Sequence, residues 1–250
     1  EYEKHSQGQQ KWARELLEKI SFKGTENVLD LGCGDGKVTA EISKVVRKGS
    51  IIGVDNSAGM INLATDKYTS AKYPNLSFQE MDAVNLKFND HFDLIFSNAA
   101  LHWVKDQKPV IKGMFKSLKQ GGRVLIQMGG KGNAARIVEV LSELTSEKKW
   151  NSYFNGFSFP FYFPGTNEYE SLLLDCGFVL KRIELISKKK DHAGIESLKG
   201  WIRTTWLPYT LRVPEEERET FIDIVSKKYI ERYSANSEGI INVQMIRLEV

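Results

Sequence analysis

Only two cysteines, Cys33 and Cys176, occur among the 250 residues, and neither sits at metal-ligand spacing. That excludes a disulfide scaffold and a thiolate metal site; no metal and a reducing, cytoplasmic setting are expected. Charge of one sign is also scarce. A net charge of +3 gives no basic field strong enough to argue for nucleic acid as a partner. No apolar run approaches the roughly 20 residues that a bilayer span requires and no leader-like segment is visible, so no membrane partner is expected. Repeats, low-complexity tracts and linkers are missing too, which predicts one domain over residues 1–250. The composition, 41% hydrophobic and 27% charged, is that of an ordinary globular chain long enough for one large α/β core with a small cap.

The most informative stretch is Val28-Leu29-Asp30-Leu31-Gly32-Cys33-Gly34-Asp35-Gly36, followed by Gly53-Val54-Asp55. An apolar run enters alternating glycines, a helical segment follows, and a second apolar run ends on a carboxylate. Such a unit holds a nucleoside: the glycines admit the ligand close to the backbone, and the acid is placed for a ribose diol. The order Gly32-Cys33-Gly34-Asp35-Gly36-Lys37 departs from the dinucleotide pattern G-x-G-x-x-G, and Asp35 inside the loop suits an ammonium and a sulfonium better than two phosphates. S-adenosylmethionine is therefore the expected ligand, ahead of a nicotinamide cofactor.

Strand and helix patterns alternate along the chain: strands over 28–31, 50–54, 76–80, 92–97 and 123–127, and helices over 37–46, 58–73 and 109–118. Leu94-Ile95-Phe96 and Val124-Leu125-Ile126 are continuous apolar runs, as strands buried on both faces require. After Met128 the rhythm becomes helical, with a sixth strand at 178–187 and a seventh at 240–250. The expectation is an α/β, doubly wound, mostly parallel seven-stranded sheet of Rossmann-like type. The core is placed at about 25–130 plus 178–187 and 240–250. Helical cap insertions follow the fifth and sixth strands at about 131–177 and 188–239, covering the ligand mouth at the strand carboxyl ends. The run Tyr153 to Phe163, with seven aromatics in eleven positions, reads either as packing beneath that cap or as an apolar lid. Lys188-Lys189-Lys190 reads as the solvated end of the sixth strand.

The glycine loop resembles the first motif of the class I S-adenosylmethionine-dependent methyltransferases, and further pieces match in order. Asp55 stands at the ribose-binding acid. Glu80-Met81-Asp82-Ala83 is similar to the segment whose acid reaches adenine. Phe92 to Trp103 is similar to the fourth strand and its loop, and Leu118-Lys119-Gln120-Gly121-Gly122 to the turn into the fifth strand. The resemblance implies a cofactor set of Asp30, Gly32, Cys33, Gly34, Asp55, Asn56, Met60, Asp82, Ala83 and Asn98, with Asp30 toward the methionine amino group. Asn98-Ala99-Ala100-Leu101 lacks the Asn-Pro-Pro-Tyr tetrapeptide of many base-amino methyltransferases, which argues against a nucleobase acceptor.

Trp12-Ala13-Arg14-Glu15-Leu16-Leu17, Ser97 to Val104, Ile126-Gln127-Met128 and Trp201 to Leu207 resemble the trans-aconitate methyltransferase subgroup. Gln7, Gln9 and Gln10 resemble juvenile hormone acid methyltransferases. These likenesses imply O-methylation of a small carboxylic acid; a monomer or homodimer is expected. Trp103, Arg203 and Trp206 are the expected substrate contacts, Arg136 and Arg212 are further candidate clamps, and His102 is a candidate general base. The subgroup tends to carry small residues and an arginine near Trp206 and Pro208, so this chain's pocket differs. A phenol, amine or carbon acceptor, or cofactor binding without turnover, remain the alternatives.

Overall fold

A computed structural model describes residues 7–250, with side chains from Gln10 onward. The strands β1 (Asn27–Leu31), β2 (Ser50–Asp55), β3 (Leu76–Glu80), β4 (Phe92–Asn98), β5 (Leu118–Gly129), β6 (Glu184–Ala193) and β7 (Ile240–Glu249) form one sheet. Their order is β3-β2-β1-β4-β5-β7-β6. β1 pairs in parallel with both β2 and β4, β2 with β3 and β4 with β5, whereas β7 runs antiparallel to β5. This is the doubly wound, mostly parallel arrangement expected, and it reverses direction between β1 and β4, where open α/β sheets bind ligands.

Period-two alternation explains the layers. Leu29, Leu31 and Ile95 enter one apolar cluster with Met114 and Tyr169. Val28, Leu94 and Phe96 point the other way, into a cluster with Ala13, Leu16, Ala40 and Ile42. Helices α1 (Gln7–Leu17) and α2 (Lys37–Val45) supply the second cluster. α4 (Gln107–Ser117) and α6 (Thr166–Asp175) supply the first, and α3 (Ala58–Lys67) follows β2.

Gln9–Lys131, Phe161–Ile186 and Arg247–Val250 make one compact unit; Gly132–Pro160 and Ser187–Ile246 belong to another. The second contains α5 (Ala135–Ser146), α7 (Gly194–Thr205), α8 (Leu207–Thr210) and α9 (Glu215–Arg232). The aromatic run divides at this boundary. Phe154 and Phe157 pack on Tyr209, while Phe161 and Phe163 stack on each other in the sheet unit.

Several boundaries differ from the sequence reading. β5 starts at Leu118 rather than Arg123, since Leu118 already pairs with Phe92. α3 ends at Lys67 rather than Tyr73, because the chain leaves the helix to bring Tyr68 and Tyr73 edge to face, 5.3 Å between centroids. The sixth strand starts at Glu184, not Phe178: Phe178, Leu180 and Ile183 pack irregularly on the apolar cluster instead of pairing. The lysine triplet consequently lies inside β6, an edge strand, where lysines discourage pairing with another sheet.

β7 is anchored by a buried carboxylate. Glu249 accepts from Gln127 Nε2 at 2.8 Å and from Arg182 at 3.0 Å, and pairs with Lys19. Burial would raise its pKa, but these partners hold it below the usual value. Its contribution to stability is therefore present above the ordinary glutamate range and lost as pH falls through the depressed value. Glu249→Ala leaves the buried Gln127 amide without its acceptor and frees the partly exposed Lys19, while Arg182 keeps Glu184, and is expected to cost about 1–3 kcal/mol, read as a fall in denaturant midpoint.

Candidate active site

The loop after β1 is shaped by its glycines. Gly32, Gly34 and Gly36 have φ of 80°, 53° and 75°, and a Cβ at Gly32 would lie 2.1 Å from Cβ of Ala100. Gly32 thus satisfies two demands, a left-handed backbone and close approach of this loop to the segment after β4. The Gly32 and Cys33 N–H groups donate to Val54 O at 2.8 and 3.0 Å, fixing the loop against the end of β2.

Asp55 closes that end. Its Oδ2 accepts from Gly34 N and its Oδ1 from Ser57 N, each at 3.0 Å. Two backbone amides therefore orient the carboxylate, and each oxygen retains lone-pair capacity for a diol. Met81 N donates to Asp55 O at 2.9 Å, which joins the end of β3 to it. There Asp82, exposed, caps a short turn by accepting from Val84 N at 3.1 Å. Ala83 and Met60 are half-buried and Asn56 is exposed. Ser57 caps α3 through Met60 N.

Asp30 is 2% exposed. Its Oδ2 accepts from Thr39 Oγ1 at 2.7 Å. Burial, opposed by that hydrogen bond and reinforced by the charge of Asp55, pushes its pKa up to about 7. A buried carboxylate under such strain gains from a cation placed beside it. Cys33 is buried too, and burial together with the surrounding carboxylates pushes its thiol up, making it a poor nucleophile. Asp35 differs from the sequence argument: Lys37 Nζ lies 3.0 Å from its Oδ2, so its charge is already balanced within the loop.

At the end of β4, Asn98 is paired in register with Gln127, and Ala99 takes a positive φ of 57°. A short turn, Leu101–Trp103, follows. His102 is buried, and its Nδ1 accepts from Gly129 N at 3.4 Å. Burial, and secondarily the charge of Arg247, pushes the imidazole pKa down to about 3, so the ring is neutral and weakly basic. Rings gather around it. Phe161 lies 6.0 Å and Phe163 5.9 Å from the imidazole, and the half-exposed Trp103 meets Phe161 edge to face at 4.7 Å.

The structure thus brings the glycine loop, Asp30, Asp55, Asp82, Asn98, His102 and Trp103 to the carboxyl edge of one sheet. Arg203 and Trp206 lie in the other unit. Arg203 forks onto Glu219 at 2.8 and 2.6 Å, so a carboxylate clamp there would have to displace an existing pair. Trp206 is buried among Trp201 and Tyr209. Arg136 and Arg212 lie over the rings of Tyr233 and Phe157. Gln10 donates to Glu41, which also holds Arg14, while the side chains of Gln7 and Gln9 fall outside the described residues. Phe161 and Phe163 belong to the aromatic run read from the sequence as packing or an apolar lid, though not placed beside His102 there; Arg247 was missed. The signal for Arg247 was a lone cation inside the apolar run Met245-Ile246-Arg247-Leu248.

The comparisons agree with this geometry. Residues 22–172 match the family described as "Methyltransferase domain". A trans-aconitate 2-methyltransferase of Deinococcus radiodurans is 30% identical over 225 residues, covering 86% of this chain and 83% of that protein. The juvenile hormone acid O-methyltransferase of Drosophila melanogaster is 26% identical, over 80% of this chain and 69% of that one. Among solved structures, YcgJ from Bacillus subtilis superposes with a TM-score of 0.66 at 20% identity, covering 95% of both chains. The chain belongs to the methyltransferase-domain family, with the class I fold, and is an S-adenosylmethionine-dependent methyltransferase. Within that family it resembles the trans-aconitate methyltransferases. Among the described residues no helix is long and apolar enough to cross a membrane.

Proposed function

We propose that the chain methylates a carboxylate oxygen of a small organic acid. The observation that carries this reading is the state of His102, a buried, neutral imidazole with its pKa near 3 and one nitrogen already bonded. A phenol or ammonium acceptor must lose a proton and needs a base, whereas a carboxylic acid is ionised near neutral pH without help. The trans-aconitate and juvenile hormone acid enzymes among the relatives support an acid acceptor.

In this reading Gly32, Cys33 and Gly34 offer backbone to the cofactor, and Asp55 accepts from its ribose. Asp82 and Ala83 meet the adenine beside Asn56 and Met60, and Asp30 faces the amino group. Bound S-adenosylmethionine supplies a methyl group made electrophilic by its sulfonium. Asn98 borders the place where the acceptor is held, and Trp103, Phe161 and Phe163 exclude water from it. His102 fills the wall as a neutral ring. Such positioning of an already ionised nucleophile is worth about 7–11 kcal/mol. The segments Gly132–Pro160 and Ser187–Ile246, which carry Trp206 and Arg203, are proposed to belong to the same methyltransferase domain as the rest of the chain. Both cysteines are free thiols, which supports a reducing, cytoplasmic setting.

The test is the pH dependence of kcat with an acid acceptor at saturating cofactor. It is expected to stay flat from about pH 6 to 9, and His102→Gln to keep activity within about tenfold. A kcat rising tenfold per pH unit, or loss of nearly all turnover in the variant, would assign His102 a proton-transfer role and the acceptor to another class.

A further inference from the structure

Arg247 is 3% exposed on the last strand, and its Nε makes no hydrogen bond. Among the described residues no carboxylate is paired with its guanidinium. Glu249, two residues on and on the same face of β7, is committed to Lys19, Arg182 and Gln127. The guanidinium lies 4.7 Å over the ring of the buried Trp12, a contact that accommodates the cation without neutralising it. Desolvation lowers its pKa to about 10, which still leaves it charged at neutral pH. A buried cation without an anion is a costly arrangement that a well-placed carboxylate relieves.

Its position suits that role. Arg247 is the register partner of Gly129, the residue whose N–H donates to His102 Nδ1. It therefore stands at the carboxyl edge of the sheet, on the strand beside β5. His102 contacts Phe161 and Phe163 on the same edge. Buried cation and aromatic wall belong to one compact unit.

Resting on the acid-acceptor reading above, we propose that Arg247 binds the acceptor's carboxylate through its two-pronged guanidinium, and that the acceptor is an acid with an apolar body seated against Phe161, Phe163 and Trp103. The reaction balances without a base. A carboxylate oxygen forms the new bond to the methyl carbon, the carbon–sulfur bond breaks with its electron pair going to sulfur, and no proton moves. The product ester has lost the negative charge that Arg247 held, so the same residue distinguishes acid from ester.

The test uses the full chain with octanoate, phenylacetate and trans-aconitate as acceptors, and compares wild type with Arg247→Met and Arg247→Lys. Wild type is expected to methylate octanoate or phenylacetate in preference to trans-aconitate. Arg247→Met should raise KM for that acid about 100-fold with little change in kcat, and Arg247→Lys should recover part of it. Calorimetry in the presence of S-adenosylhomocysteine should show the acid's binding heat lost in Arg247→Met, with S-adenosylhomocysteine affinity within about twofold of wild type. The apo Arg247→Met protein should melt no lower than wild type, since it no longer buries an unpaired charge.

An acid KM unchanged in Arg247→Met overturns the clamp and leaves the acid reading standing. Preference for trans-aconitate overturns the apolar-bodied acceptor. Should Arg247→Met fail to bind S-adenosylhomocysteine, Arg247→Lys decides, and a wild-type KM there also overturns the clamp. If wild type turns over none of the three acids, the acid reading falls and takes the clamp with it.

Discussion

Asp55→Ala is expected to lower S-adenosylmethionine affinity by about three orders of magnitude, because in the proposed site the ribose diol would lose both of its charged acceptors at once. The loss is larger than for an exposed carboxylate because Asp55 is preoriented. Gly34 N and Ser57 N hold its two oxygens at 3.0 Å, so no side-chain entropy is spent when a ligand arrives. The substitution also releases Gly34 N, and with it one hold on the left-handed turn proposed to admit the ligand. Asp55→Asn separates the two effects. It keeps one amide-accepting oxygen and should lose about tenfold less affinity than alanine. Calorimetric titration of the three proteins reads both numbers, and equal affinities in all three would remove Asp55 from the site.

Asp30→Asn is expected to stabilise the protein and to weaken its cofactor binding, in opposite directions from one substitution. The carboxyl rises from 3.8 to about 7 on folding. At 1.36 kcal/mol per tenfold change in proton affinity, ionising it in the fold costs about 4 kcal/mol. A group of this kind keeps its proton in the native state while the unfolded chain has already lost it. Stability therefore falls as pH rises from about 4 to 7, and the cost is fully present above pH 7. Asparagine removes that cost and can still accept from Thr39. The apo melting temperature at pH 8 is expected to rise by about 8 °C. Binding of a ligand ammonium requires the ionised form, so wild-type affinity should fall about 20-fold between pH 7.5 and 5.5, and the asparagine variant should show no such slope. A wild-type affinity flat across that range, or a variant that melts lower, would separate Asp30 from the ligand.

Much of the fold was legible because parallel strands buried on both faces carry continuous apolar runs. Leu94-Ile95-Phe96 could be placed from the sequence before the two clusters it feeds were known. The glycine loop was equally legible: alternating glycines after such a strand have few uses that do not involve a ligand. Less legible were features that depend on tertiary partners. The start of β6 was displaced because Phe178, Leu180 and Ile183 fit a strand pattern yet pack as irregular chain. Asp35 read as an open charge because its neighbour Lys37 gave no sign of turning back onto it. His102 stayed a candidate base, with packing beside Trp103 as the alternative, because a sequence does not reveal that an imidazole is desolvated. Arg203 was singled out as a clamp where Arg247 was overlooked. An arginine in a helix looks available, and one in an apolar strand looks like an exception. In the fold the first is engaged by Glu219, and the second is buried with no carboxylate paired to it among the described residues.

A crystal structure of the protein with S-adenosylhomocysteine tests the cofactor site most directly. Both ribose hydroxyls should lie within hydrogen-bond distance of Asp55, with the adenine amino group at Asp82 and the amino acid ammonium at Asp30, the ligand crossing the Gly32–Gly36 turn. A ligand bound elsewhere on the chain, or one crossing that turn with its ribose away from Asp55, would contradict it.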